Sequence, residues 1–94
     1  MNPIVVDLAA RFATQLRKEL GDETVEAIHT TNLERNDETC ASHDYLDANE
    51  VMNDAWYQAF GETVDPRFDN EIWSAAWMLA KKHGFNAAVI RASL

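Results

Sequence analysis

The 94-residue chain is poor in cysteine, proline, glycine and basic residues, with one Cys, two Pro, three Gly and eight Lys plus Arg. The single Cys40 cannot form a disulfide within the chain, which favours the reducing cytoplasm. No apolar run approaches the roughly 20 residues of a transmembrane helix, and Met1 to Leu8 lacks the pattern of a signal peptide. We therefore expect one soluble domain over residues 1–94, with no membrane partner.

The shortage of bases is most marked in the middle of the chain. Residues 19–71 contain fifteen of the sixteen acids but only two bases, Arg35 and Arg67, and the whole chain carries a formal charge of −8. A surface of this sign repels phosphates and attracts basic partners. The charge therefore predicts no direct binding of nucleic acid.

The arrangement of apolar residues predicts helices, because no strand-type alternation of useful length occurs. Gly21, Gly61 and Gly84 each follow a helical pattern, where glycine commonly ends a helix. We expect the first helix to open with Asn2 as its cap and Pro3 at its first position. Its apolar residues recur every three or four positions, at Val5, Leu8, Ala9, Phe12, Ala13, Leu16 and Leu20.

Three or four further helices are expected, which gives an all-α protein built as a compact bundle of four to five short helices. The second runs from a cap at Asp22 to about Leu33, and the third from about Asp44 to Phe60, with a polar loop over 35–42 between them. The fourth follows Pro66, with a cap at Asp69 and a hydrophobic staple of Phe68 and Trp73. It is apolar almost all round, so it is either the most buried helix or one with a partner. It should end at Gly84 and Phe85 in a Schellman-like turn, before a short helix within 86–94.

The third helix carries a stripe of acids. His43, Asp47, Glu50 and Asp54 are spaced by four, three and four residues, so they share one side of a helix. The carboxylates of the three acids among them are about 4.5 to 6 Å apart along the axis, and DNA phosphates advance about 3.4 Å per nucleotide. An ordinary solvated helix would place Lys or Arg one turn away, and none occurs between Arg35 and Arg67. The stripe therefore predicts a face that binds a basic surface of a nucleic-acid-binding protein. The alternative is that these acids only solvate the outer side of the helix, which would give the same sequence pattern. The expected partner-binding residues are Asp37, Glu38, Asp44, Asp47, Glu50 and Asp54.

Two other interpretations stay open. Cys40, His43 and Asp47 could form a zinc site, although zinc needs three or four ligands. They could also form the active site of a thiol enzyme, although the surrounding acids raise the pKa of a thiol. We therefore expect no metal, no cofactor and no catalytic residue. Ser42, His43 and Asp44 should have capping and hydrogen-bonding roles, and Cys40 should be a passive thiol. Separately, the tryptophans of the chain should lie in the core, unless one of them anchors a partner or a homodimer through the fourth helix. They are Trp56, Trp73 and Trp77.

Two segments within residues 40–85, about half of the chain, carry a resemblance. Residues 40–52 read Cys-Ala-Ser-His-Asp-Tyr-Leu-Asp-Ala-Asn-Glu-Val-Met, and residues 73–85 contain Trp-Ser-Ala-Ala-Trp and then Ala-Lys-Lys-His-Gly-Phe. Both resemble segments of small uncharacterised proteins of phages and other mobile elements. The resemblance implies a phage- or plasmid-like context in a host cell and no particular activity. By size and acidity alone the chain is also similar to anti-CRISPR and DNA-mimic proteins, which implies a non-enzymatic inhibitor of a nucleic-acid-handling host complex.

Overall fold

Five helices make up most of the protein in the computed structural model, which describes residues 2–27, 43–61 and 71–93, with backbone alone for 43–47. No strand occurs in these three ranges, which confirms the predicted all-α bundle of four to five helices. No helix within them is long and apolar enough to cross a bilayer. The helices are α1 Pro3–Leu20, α2 Asp22–Ala27, α3 His43–Phe60, α4 Glu71–Lys82 and α5 Ala87–Arg91.

Helix α1 lies at the centre and contacts each of the other four helices. It starts as predicted, because the Asn2 side chain accepts a hydrogen bond from the Ile4 N–H at 2.9 Å and Pro3 is the first helical residue. It ends at Leu20, before Gly21. Its inner side is fully or almost fully buried at Val5, Val6, Leu8, Ala9, Ala10, Phe12, Ala13 and Leu16.

The central position of α1 corrects one expectation, that the fourth helix is the most buried. Helix α4 leaves Ala75 exposed and Met78 62% exposed, and it buries only Ala76, Trp77, Leu79 and Ala80. Burial stabilises in proportion to apolar area, and the outward side of α4 combines the small Ser74 and Ala75 with a single large apolar residue, Met78. The sequence pattern of α4 overstates its burial because several of its apolar residues are alanines, which bury less apolar area than larger residues.

Helix α2 begins differently from the prediction, in which Asp22 was the cap. Asp22 is already helical, and the carbonyl of Gly21 accepts the first bond, from the Val25 N–H at 3.1 Å. The Asp22 carboxylate instead accepts a hydrogen bond from Arg17. Val25 is fully buried and joins α2 to the core. The predicted continuation to Leu33 lies outside the described residues.

The other predicted boundaries agree where they can be compared. Helix α3 begins at His43, one residue before the expected start, and ends at Phe60 before Gly61. Helix α5 begins after Asn86, whose side chain accepts a hydrogen bond from the Val89 N–H. The predicted loop over 35–42 and the expected cap and staple residues Asp69 and Phe68 lie outside the described residues.

Helix α4 ends in the predicted Schellman turn. The Phe85 N–H donates to the Ala80 carbonyl at 2.8 Å, and the Gly84 N–H donates to the Lys81 carbonyl at 3.1 Å. Gly84 and Phe85 both have positive φ, at 61° and 56°. This conformation is uncommon for a bulky residue, so the surrounding packing must hold Phe85 in place.

That packing is an aromatic cluster contributed by α1, α4 and the turn that follows α4. The Phe12 ring lies edge-on to Trp77 at a centroid distance of 4.6 Å and to Phe85 at 5.9 Å. The Trp77 indole donates to the Asn49 side chain of α3 at 3.0 Å, which satisfies its buried N–H. Trp77 is thus a core residue as predicted, while Trp56 and Trp73 are partly buried against the core.

Candidate partner-binding face on helix α3

Packing in the core fixes which side of α3 faces outward. Ala48, Met52 and Ala55 are fully buried and Val51 nearly so, and these four residues define the inner side of the helix. Glu50 and Asp54 lie on the opposite side and are exposed. The helical period of 3.6 residues therefore separates the acids from the apolar residues of the same helix.

The acidic stripe continues toward the start of α3 by register. His43 and Asp47 are one helical turn apart, and with Glu50 and Asp54 they occupy a sector of roughly 60° around the axis. Asp44 does not share that sector, because its spacing of four and seven residues places it in line with Ala48 and Val51. For residues 43–47 this placement is that of the backbone alone, and Asp37 and Glu38 lie outside the described residues.

Glu50 and Asp54 have no ion pair within the described part of the chain. They are one turn apart, about 6 Å along the axis, and α3 contains no Lys or Arg. Like charges at this spacing destabilise a helix by a few tenths of a kcal/mol. The two carboxylates are thus held side by side in water without a compensating cation from their own helix.

Several acids of the other helices form ion pairs, and those of α2 provide the clearest contrast with Glu50 and Asp54. The Arg17 guanidinium of α1 donates to the Asp22 carboxylate at 3.1 Å and to the Glu26 carboxylate at 2.9 Å. Partial burial lowers the pKa of Arg17, but the hydrogen bonds to Glu26 and Asp22 outweigh that effect and raise it above its usual value. The same guanidinium donates to the carbonyls of Phe85 at 2.7 Å and Gly84 at 2.8 Å.

The Asp7 carboxylate is also paired. It accepts a hydrogen bond from Arg11 at 2.8 Å and another from Arg91 of α5 at 3.4 Å. The hydrogen bond from Arg11 holds the pKa of the Asp7 carboxyl below its usual value, with a smaller contribution from Arg91 and against the effect of partial burial. Glu19 of α1, Glu23 of α2 and Glu71 of α4 have no ion pair with another described residue, and each is the single such acid of its helix. Among the described helices, α3 differs in having two such acids, Glu50 and Asp54.

An aromatic residue missed by the sequence analysis lies beside these acids. Tyr57 is 54% exposed and follows Glu50 and Asp54 at the same spacing of four and three residues. Tyrosine is enriched in protein interfaces, and its ring attracts Arg and Lys side chains. The helical spacing of Glu50 and Asp54 extends to Tyr57, but the predicted stripe was defined by charged residues alone. We call Asp47, Glu50, Asp54 and Tyr57 the α3 face.

The candidate metal or thiol cluster cannot be assembled from the described residues. Cys40 and the side chains of His43 and Asp47 lie outside them. Within the described ranges, no three residues among His, Cys, Asp and Glu are grouped so that they could hold a metal ion.

Comparison with known proteins gives no further assignment: no protein-family model, no curated protein and no solved structure matches the chain. The resemblance to phage proteins therefore remains a prediction from the sequence.

Proposed function

We propose that this protein is a small non-enzymatic binding protein, whose α3 face docks on a Lys/Arg-lined surface of a nucleic-acid-handling protein. The observation that carries the proposal is the pair of exposed carboxylates of Glu50 and Asp54, which have no ion pair with another described residue, on a helix with its opposite side buried. Asp7, Asp22 and Glu26 each pair with a described arginine, whereas no described Lys or Arg pairs with Glu50 or Asp54.

The mechanism is competition for the partner's basic surface. A groove that binds phosphates contains cations spaced for a nucleic-acid backbone, and carboxylates repeated every 4.5 to 6 Å or so along a helix can occupy several of them. Binding would then block nucleic acid both sterically and electrostatically. The net charge of −8 would speed association with a positive surface, and salt would slow it.

The context suggested by the sequence narrows the class of partner. A phage- or plasmid-like origin places the protein in a bacterial host, where the complexes that handle foreign nucleic acid carry large basic channels. An inhibitor of such a complex, similar in action to anti-CRISPR or DNA-mimic proteins, is the specific form of the proposal. Tyr57 would add an aromatic contact to an arginine in that channel.

A pull-down from bacterial lysate tests this function with a charge-matched control. The test variant is Glu50→Lys with Asp54→Lys, and the control is Glu19→Lys with Glu23→Lys, which changes the net charge equally at exposed residues of α1 and α2. Circular dichroism establishes that all three proteins are folded. We expect the wild type and the control to capture the same nucleic-acid-binding proteins, and the α3 variant to lose them.

Two competitors make the test sharper. Sodium chloride at about 0.5 M, where the Debye length falls to roughly 4 Å, should release the captured proteins. Duplex DNA should also displace them, because the proposal places both ligands on one surface. Capture that is equally strong with the α3 variant, or captured proteins that do not bind nucleic acid, would remove the proposal.

A further inference from the structure

The outward side of α4 combines charged residues at its ends with apolar residues at its centre. Its residues Glu71, Ala75, Met78 and Lys82 are exposed and are spaced by four, three and four positions. Met78, at 62% exposure, is the most exposed large hydrophobic residue of the described chain. A helix that presents a regular stripe with an apolar centre is typical of a helix that packs against another helix.

This stripe is complementary to itself when two copies of α4 run antiparallel. Residues 71 and 82 are equally far from the midpoint between residues 76 and 77, and so are residues 75 and 78. A two-fold axis at that midpoint therefore brings Glu71 opposite Lys82 of the second copy, at both ends of the contact. It also brings each Met78 opposite the small Ala75 of the other copy, so that large and small side chains interlock.

Charge favours the same surface. Residues 72–94 contain three bases and no acid, although the whole chain carries a formal charge of −8. Two copies that met through the α3 face would repel each other, whereas the α4 stripe carries one acid and one base and is neutral. A contact along the α4 stripe therefore avoids the repulsion that two α3 faces would cause.

We propose that a second copy of this chain docks antiparallel along the outward side of α4 and forms a two-fold symmetric dimer. The interface is made by Glu71, Ala75, Met78 and Lys82, and it uses no residue of the α3 face. Trp77 belongs to the core, so the dimer rests on Met78 and the paired charges. A single pair of helices about 18 Å long buries less than a standard interface, which predicts a weak dimer with a dissociation constant of about 10 µM to 1 mM.

Sedimentation equilibrium of the full chain between about 10 µM and 2 mM tests the dimer, since this range spans the weak affinities of small interfaces. Glu71→Lys alone and Lys82→Glu alone each place like charges opposite each other at both ends, so each should weaken dimerisation roughly tenfold. An equimolar mixture of these two variants should form a heterodimer with nearly wild-type affinity, because the two bases of one variant then face the two acids of the other. Glu19→Lys on α1 changes the net charge as Glu71→Lys does, so it is the control for that variant and should dimerise like the wild type.

The mixture separates this interface from a general effect of charge or of folding. A wild type that is monomeric over the whole range overturns the proposal. So does a wild-type dimer that either single variant leaves unchanged, or a mixture that fails to restore association. Met78→Ala provides an uncharged check, because its side chain is mostly exposed in the monomer, and it should weaken the dimer without lowering the stability of the fold.

Discussion

Replacing Arg17 with methionine should destabilise the protein far more than its position near the surface suggests. The substitution keeps an unbranched side chain of similar length and removes the guanidinium. That group joins α1 to α2 and to the turn after α4. The Arg17 side chain is 27% exposed, so its hydrogen bonds are partly shielded from water.

The magnitude follows from the four contacts. Each charged hydrogen bond to the carbonyls of Phe85 and Gly84 contributes about 1 to 1.5 kcal/mol at this partial exposure. The ion pairs contribute less, together under about 1 kcal/mol, because the Asp22 and Glu26 side chains are 82% and 59% exposed. We therefore expect Arg17→Met to lower the free energy of unfolding by about 2 to 4 kcal/mol.

Urea denaturation followed by circular dichroism and tryptophan fluorescence measures this loss. The matched control is Arg11→Met on the same helix, where one exposed ion pair with Asp7 predicts a cost of about 0.5 kcal/mol. Sodium chloride near 1 M should leave most of the difference in stability loss between the two substitutions in place, since it screens the exposed ion pairs more than the hydrogen bonds to carbonyls. Equal costs for the two substitutions would refute the role given to Arg17.

Three further predictions address the core and the pH dependence. Phe12→Ala should cost about 3 to 5 kcal/mol in urea denaturation, whereas Ile4→Ala at a 48% exposed site should cost under about 1 kcal/mol; similar costs would contradict the described core. Asn49→Leu should cost about 1 to 2 kcal/mol and shift tryptophan emission, because the Trp77 N–H loses its acceptor; an unchanged spectrum and stability would contradict that bond. The lowered pKa of Asp7 gives stability that is present above the unfolded pKa and lost as pH falls through the folded pKa. Asp7→Asn should therefore be less stable than wild type at pH 7, by under about 1 kcal/mol, and equal to it near pH 2; a gap that does not close would contradict the pairing.

The helices could be predicted from the sequence because their boundaries are local. Asn2 and Pro3 begin α1, Gly84 ends α4 in a turn that needs positive φ, and the apolar spacing of α1 identifies its buried side. Each of these signals involves residues within one or two turns of one another. Local signals were misleading at Asp22, which is the first helical residue instead of the cap and whose carboxylate accepts a hydrogen bond from Arg17.

Properties that depend on distant residues could not be predicted. Arg17 bonds to Gly84 and Phe85 across 67 and 68 residues of sequence, and no local pattern indicates that contact. The same limit applies to the candidate site. Helical spacing placed Glu50 and Asp54 on one side of α3, but only the arrangement of all helices shows that no described arginine or lysine pairs with them.

The most direct test of the α3 face is a binding titration with the partner protein, purified after the pull-down has identified it. Dissociation constants for wild type, for Glu50→Lys with Asp54→Lys and for Glu19→Lys with Glu23→Lys would be measured at about 0.15 M salt, close to physiological screening. We expect the α3 variant to bind at least about tenfold more weakly, and the control to stay within about twofold of wild type. Equal weakening of the two variants would show that net charge alone governs binding, and unchanged affinity of the α3 variant would show that the partner docks elsewhere.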